Sequence, residues 1–244
     1  MNSGFYGACA GLRAQTQALE LVANNAANVN TTGYRAQQPR FRSLLASFSG
    51  EFQNPMNYAV NNFNVIGGSR TDLTHGNLER TGNPLDLGIE GNAFFAVQTP
   101  GGVRYTRNGN FQTSPAGRLT TGSGDPVLGE QGAITLPSGA ISIGPDGTIS
   151  VNGAIAGKIK LVEFAPGTDL LPAGASYYRA AENSEHPSPL SFIRQGMLES
   201  SNVNPASSLV DLITVQRRAE MMERAMAAFY SDLNHTAAGE LARI

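Results

Sequence analysis

Tryptophan is absent from these 244 residues, and cysteine occurs once, as Cys9. A single thiol cannot close an internal disulfide, so no covalent framework holds the fold. Cys9 reads as a small buried hydrophobe rather than a lipid-attachment site. The preceding Phe5-Tyr6-Gly7-Ala8 carries no basic residue and is too short and glycine-broken for a signal peptide. No apolar run approaches the roughly 20 residues that cross a bilayer as a helix. Lysine occurs only as Lys158 and Lys160, and the formal net charge is −2, so there is no basic footprint for a nucleic acid. His75, His186 and His235 are scattered, with no carboxylate or cysteine at metal-ligand spacing. Asp86 and Glu90 lie on a strand and a turn, where solvation or turn capping explains them better than acid–base work. The glycine-rich pieces around residues 101, 109 and 124 lack the lysine and the strand–loop–helix context of a phosphate loop. The expectation is a non-enzymatic chain: no catalytic, cofactor-binding or metal residues, no cofactor, no nucleic-acid partner and no small-molecule substrate.

The two ends, by contrast, are strongly patterned. Phe5, Ala8, Leu12, Gln15, Leu19, Val22, Ala26 and Val29 follow one another in steps of three and four, and only Gln15 is not apolar. Leu212, Val215, Ala219, Met222, Met226, Phe229 and Leu233 repeat that spacing near the other end. A two-in-seven seam asks for a partner helix rather than a broad globular core. The first helix is predicted to stop in Asn28-Val29-Asn30-Thr31-Thr32-Gly33, where Gly33 can take the left-handed conformation. The last is predicted to start at Asn204-Pro205, an N-cap followed by a favourable first helical residue. Leu209, Val210, Ile213 and Met221 widen the apolar stripe of the last helix, so it is expected to touch more than one neighbour.

The middle changes character, and the 28 glycines and 13 prolines suit a turn-rich β-structure. Phe94–Val97 reads as a buried strand turned by Pro100-Gly101-Gly102 and answered by Val103–Thr106. Asn108-Gly109, Pro145-Asp146-Gly147 and Asn152-Gly153 are further turn signals, and Lys158–Val162 alternates as one strand. Residues 53–69 read as loop or short extended pieces, either an ordinary surface loop or a stretch ordered on assembly. The expected fold is α+β: long N- and C-terminal heptad helices pairing as a coiled-coil-like bundle, with a central, mainly antiparallel β domain. The boundaries are 1–34 and 196–236 for a terminal helical assembly domain, 35–80 for a connecting region, 81–195 for the β domain and 237–244 for a polar tail.

Two short motifs carry a resemblance. ANNAANVNTTGY (23–34) closes the first helix and QGMLESSNVNPA (195–206) opens the last. Together they resemble the signatures of the bacterial flagellar rod and hook protein family. The matching positions are Leu12, Gln15, Leu19, Ala23, Asn24, Asn25, Ala27, Asn28, Thr31, Gly33 and Tyr34 at the first end. At the second they are Gly196, Leu198, Glu199, Ser201, Asn202, Val203, Asn204, Leu209, Ile213, Gln216 and Arg217. The run from Pro84 to Leu119 is similar to the β domain of rod proteins of the FlgF and FlgG types. The stretch 126–150 and Arg217-Arg218-x-Glu220-Met221 look closer to the proximal FlgF type, the double Asn of ANNAAN closer to the distal FlgG type. Ala219 departs from the family, which usually carries an aromatic there, and so does the polar tail after His235.

The resemblance implies a structural subunit of the basal-body rod, polymerising through its terminal helices into a tube that spans the periplasm and transmits torque. It also implies partners among rod and hook subunits, and export through the flagellar type III apparatus without a cleaved signal peptide. The alternative is a periplasmic binding module or cell-wall glycan enzyme dimerised by its helices. A glycan hydrolase needs two carboxylates across a cleft, and a sugar-binding face needs exposed aromatics, of which the centre has few (Tyr105, Phe111, Tyr177, Tyr178).

Overall fold

The computed structural model describes residues 2–43, 64–165, 167–174, 176–181 and 184–241; for 2–8, 10, 41–43, 64–68, 229 and 232–241 it describes the backbone alone. Most of the stretch 53–69 therefore lies outside the described residues. The chain divides into two compact units. One, the helical unit, comprises Met1–Ala27, Gln37–Ser69 and Asn204–Ile244; the other, the β unit, comprises Asn28–Ala36 and Arg70–Val203.

In the helical unit, α1 (Asn2–Ala27) and α2 (Pro205–Leu241) are the two α-helices among the described residues. Asn204 caps α2, its Oδ1 accepting from the amides of Ala206 (2.9 Å) and Ser207 (3.2 Å). The helices pair in opposite directions. Cys9 Sγ lies 3.6 Å from Met226 Sδ, and a Cβ on Gly11 would lie 3.6 Å from the Met222 sulfur. Strand β1 (Gln37–Ser43) pairs with β2 (Asn64–Thr71). The Asn25 amide bonds the backbone of Gln37 in both directions, at 2.8 Å each.

The expected coiled-coil-like bundle of heptad helices is not what forms. Along α1 the buried side chains among the described residues are Ala14 and Ala18, one residue out of step with the seam, while Leu12, Gln15, Leu19, Val22 and Ala26 are only half-buried. One residue is about 100° of rotation on a helix, so α1 meets its neighbour on its small face: Gly11, Ala14 and Ala18. That face admits a close approach, and the larger seam residues are left at its margin. Val29 lies beyond the end of α1, in a turn. On α2 the seam residues Leu212, Val215, Ala219, Met222 and Met226 are half-buried too, and Leu209, Val210, Ile213 and Met221 are exposed. A single helix pair has one contact line, too narrow to cover both this seam and the wider stripe. Phe5, Ala8, Phe229 and Leu233 lie on these helices, their side chains outside the described residues.

The β unit runs through β3 (Leu78–Arg80), β4 (Leu87–Glu90), β5 (Phe94–Thr99), β6 (Gly102–Thr106), β7 (Phe111–Thr113), β8 (Leu119–Thr121), β9 (Leu128–Gly129) and β10 (Gly132–Ala133). It continues with β11 (Ile141–Ile143), β12 (Thr148–Val151), β13 (Ala154–Lys158), β14 (Leu161–Phe164), β15 (Leu171–Pro172), β16 (Tyr177–Arg179), β17 (Glu185–Pro187), β18 (Phe192–Gln195) and β19 (Met197–Glu199). The largest sheet has six strands in the order β15-β16-β6-β5-β14-β17, with every assigned pairing antiparallel. Neighbouring small sheets pair β11-β12-β13, β18 with β4, β19 with β3 and β7 with β8.

Successive side chains of a strand face opposite ways, and β5 uses both faces. Phe95 and Val97 enter the main core with Leu87, Phe111, Leu119 and Ile149; Phe94 enters a second cluster with Val162, Phe164 and Tyr178. Phe95 meets Phe111 edge-on at 5.0 Å, and Phe94 meets Phe164 edge-on at 5.6 Å, the geometry aromatic quadrupoles favour. Between β12 and β13, Asn152 (φ 52°) and Gly153 (φ 84°) form the two-residue turn that an Asn-Gly pair favours. The single strand expected over Lys158–Val162 is instead split. β13 ends at Lys158 and β14 starts at Leu161, in a different sheet.

Candidate functional site

The two terminal motifs meet inside the β unit. Gly33 has φ +67°, and a Cβ there would lie 2.3 Å from the backbone nitrogen of Asn108, so the position requires glycine. Its amide donates to the carbonyl of Glu199 at 2.8 Å. Three residues on, Ala36 N–H donates to Asn202 Oδ1 at 2.7 Å. The Asn202 amide in turn donates to the Asp72 carbonyl at 3.1 Å and the Thr74 carbonyl at 3.0 Å. One side chain thereby ties three separate stretches of chain together. Ser200 N–H donates to the Asn77 carbonyl at 2.8 Å, and β19 pairs in register with β3, Leu198 opposite Glu79.

At the centre of this clasp lies Glu199, with 1% of its side chain exposed. Its Oε1 accepts from Arg35 Nη2 at 2.6 Å and from the Gly76 amide at 3.0 Å; its Oε2 accepts from Arg107 Nη1 at 3.2 Å. Arg35 and Arg107 are themselves almost wholly buried. The Arg35 amide donates to the Tyr178 hydroxyl at 3.1 Å. The Arg107 guanidinium donates to the Gly91 carbonyl and lies 4.9 Å from the centre of the Phe94 ring, a cation–π placement. Burial pushes the Arg107 guanidinium down to about 10, against the upward pull of Glu199, so it is charged at neutral pH. Burial also raises the Tyr178 hydroxyl to about 12, which keeps it protonated beside Arg35. Among the described residues, Nε and Nη1 of Arg35 and Nε of Arg107 have no hydrogen-bond partner. Two buried cations thus share one carboxylate, which makes Glu199 indispensable: a buried charge left without its partner is far costlier than the pair.

The motif residues divide by role. Gly33, Tyr34, Glu199, Asn202 and Val203 are drawn into the clasp or its margin, and Asn202 N–H also reaches the Tyr34 carbonyl at 3.4 Å. Gly196, at φ +74°, lets its carbonyl accept from the Thr81 amide at 2.9 Å. Thr31 Oγ1 donates to Asn28 Oδ1 at 3.1 Å, closing the turn after α1. Ser201 Oγ accepts from the Val203 amide at 3.2 Å, ahead of the Asn204 cap. Ala23, Asn24 and Ala27 sit on the last turns of α1. Apart from Val29, in the turn after α1, the seam residues lie along the helix pair or have side chains outside the described residues.

In the sequence Glu199 and Asn202 stand just before the Asn204-Pro205 helix start, and no local pattern there points to Arg35 or Arg107. The usable signal was Glu199 itself, a carboxylate in an otherwise apolar Met-Leu-Glu strand, which demands a cation. The other acidic candidates are ordinary. Asp86 is buried and accepts from the side-chain amides of Asn83 and Asn110 at 3.1 Å each, and Glu90 meets the exposed Arg194 at 2.7 Å. No group of three His, Cys, Asp or Glu side chains able to hold a metal ion occurs among the described residues. No described helix is long and apolar enough to cross a membrane.

Comparison with known proteins agrees with this layout. Residues 5–35 match the family model described as flagella basal body rod protein, residues 88–151 the flagellar hook protein FlgE/F/G D1 domain, and residues 194–229 the flagellar basal body rod FlgEFG protein C-terminal. The chain is 35% identical to the flagellar basal-body rod protein FlgF of Mesorhizobium japonicum over 90% of both chains. It is 36% identical to FlgF of Caulobacter vibrioides over 85% of both. It is also 31% identical to the rod protein FlgG of Buchnera aphidicola, over 89% of this chain and 92% of that one. The terminal motifs, the β unit between them and relatives that match nearly end to end lead to one conclusion: the chain belongs to the flagellar basal-body rod protein family.

Proposed function

We propose that this chain is a structural subunit of the flagellar basal-body rod, at the proximal FlgF-type position, and that it polymerises through its terminal helices. The observation that carries the reading is the exposed stripe of α2: Leu209, Val210, Ile213 and Met221 face solvent on a helix that already has one partner. Isolated apolar side chains on a surface need no explanation, but a stripe along one helix suits contact with further helices. In the rod, the seam residues of both helices would meet helices of neighbouring subunits, with the β domain (81–195) outside and residues 35–80 bridging between subunits. A contact in which one patch meets a different patch propagates without closing and gives a helical tube. Such a tube, spanning the periplasm, would transmit torque. The subunit would reach it through the flagellar export apparatus, and no ligand is needed for this role. The FlgF-type position rests on residues 126–150 and the Arg217-Arg218-x-Glu220-Met221 pattern.

An in-frame deletion of the gene, followed by electron microscopy of isolated basal bodies, tests this. The expected result is lost motility and a rod cut short at a height that marks the proximal position. A rod missing only its outer part would move the subunit to the distal position. Intact rods with normal swimming would sink the assignment. At residue level, Leu19→Asp or Val215→Asp should block incorporation into rods while the β unit stays folded.

A further inference from the structure

Glu199 balances two buried cations, and a third ionisable group stands at the edge of the clasp. The His75 side chain is 46% exposed, with Nδ1 3.9 Å from Glu199 Oε1. Nδ1 also lies 3.4 Å from Arg35 Nη2, and Nε2 lies 3.1 Å from Asn92 Oδ1. These contacts assign the ring hydrogen. A guanidinium only donates, so the Nδ1 facing it accepts; Nε2 carries the hydrogen and donates it to the Asn92 carbonyl oxygen. His75 therefore sits in the clasp as a neutral imidazole. A proton added at Nδ1 would aim a donor at a donor and place a third positive charge around one carboxylate.

We propose that His75 is a proton-operated catch on the clasp: neutral, it accepts from Arg35 and holds that guanidinium against Glu199; protonated, it repels Arg35 and loosens the tie between the segment Gly33–Ala36 and the segment Glu199–Asn202. Among the described residues, the groups that face it are few. Arg35 comes from the segment that follows the α1 turn, Arg107 from the end of β6, Glu199 from β19 and Asn92 from the loop between β4 and β5. On its own segment, Asp72 Oδ1 accepts from the Thr74 amide at 3.0 Å. Behind them, the Tyr178 hydroxyl accepts from the Arg35 amide, and Glu163 adds a weaker negative field at Arg107.

Burial is the first cause that lowers the His75 pKa from its ordinary 6.5; the fields of Arg107 and then Arg35 lower it further, against smaller opposing effects of Glu199 and Asn92. The folded chain thus keeps His75 neutral at a pH where the unfolded chain protonates it. The stabilisation is complete above the unfolded-state value of about 6.5 and is lost as pH falls from there through the folded-state value. The proposal does not depend on the rod reading.

The test uses the full chain and its His75→Gln variant, whose amide can accept from Arg35 and donate to Asn92 but cannot titrate. Three amides report on the clasp: Gly33 (2.8 Å to the Glu199 carbonyl), Ala36 (2.7 Å to Asn202 Oδ1) and Gly76 (3.0 Å to Glu199 Oε1). Their hydrogen-exchange protection, corrected for intrinsic exchange, is followed between about pH 7.5 and pH 5.5, the window in which histidine changes charge. The His75 ring is titrated by NMR alongside. The expected result is a His75 that titrates below the ordinary histidine value of about 6.5. With it, protection at the three amides should fall severalfold in the wild type, and not in the Gln variant or at the β5 amides. A ring that titrates at or above the ordinary value, unchanged protection in the wild type, or an equal loss in the Gln variant each overturns the proposal.

Discussion

In the β unit, Leu87, Phe95, Leu119 and Ile149 have no exposed surface; in the helical unit the buried side chains of α1 are two alanines among the described residues, while Leu209, Val210, Ile213 and Met221 on α2 stand in solvent. Both units are built from apolar residues in regular patterns, so composition does not separate them. Closure does. The strands of the β unit have core on both faces of β5 and an internal charge cluster centred on Glu199. The helix pair has one contact line for stripes that need more. The β unit carries the means of its own stability, and the helical unit leaves apolar surface uncovered.

The largest effect that tests this contrast is in the clasp. Glu199→Gln leaves Arg35 and Arg107 buried without a counter-charge, and removing one partner of a buried ion pair costs about 3–5 kcal/mol. Urea unfolding of the full chain should show a loss of that order; an unmoved midpoint would mean that the clasp contributes nothing to closure of the β unit. Next comes Leu119→Ala in the core, expected to cost about 2–5 kcal/mol, according to how far the site collapses. Gly33→Ala should follow at about 1–3 kcal/mol, because alanine must hold a left-handed backbone against Asn108. A tolerated alanine there would mean that the turn after α1 can move, and the comparison would lose its sharp boundary.

The sequence made different parts of this legible to different degrees. Period-two alternation and Asn-Gly signals report on neighbours in the chain, so the β5–β6 hairpin and the Asn152-Gly153 turn could be read directly. The ends of α1 and α2 were legible for the same reason: Gly33 and Asn204 act within a few residues of themselves. Helix pairing was not, because a three-four repeat says that a face is apolar without saying which neighbour covers it. The adjacent face of Gly11, Ala14 and Ala18 competes for the same partner and takes it, for small residues let the two backbones approach. The clasp was half legible. Glu199 and Asn202 stood out, but Arg35, His75 and Arg107 are brought to them by pairings such as β19 with β3, and no local period encodes those.

The helical unit should respond in the opposite way from the β unit. Leu19 is only half-buried, so an aspartate there keeps access to water. Leu19→Asp should destabilise the isolated chain by only about 1 kcal/mol, the order expected for losing a half-buried apolar side chain, while it stops incorporation into rods. A loss as large as that of Leu119→Ala would show that the seam belongs to the fold of the single chain.

The smallest effect lies on the surface of the β unit itself. Arg194 and Glu90 approach to 2.7 Å across β18 and β4, yet both side chains are 53% exposed. Water screens such a pair, and holding two long side chains in one geometry opposes the attraction, so exposed ion pairs contribute about 0–1 kcal/mol. Arg194→Met, followed by urea unfolding at low and high salt, should therefore move the midpoint little, and any difference should shrink as salt rises. The Glu199 contacts are of the same kind, two guanidinium–carboxylate approaches at 2.6 and 3.2 Å, but no solvent replaces the lost partner there. If the two substitutions cost the same, burial would not be what distinguishes the clasp, and its role as the lock between the terminal motifs would have to rest on geometry alone.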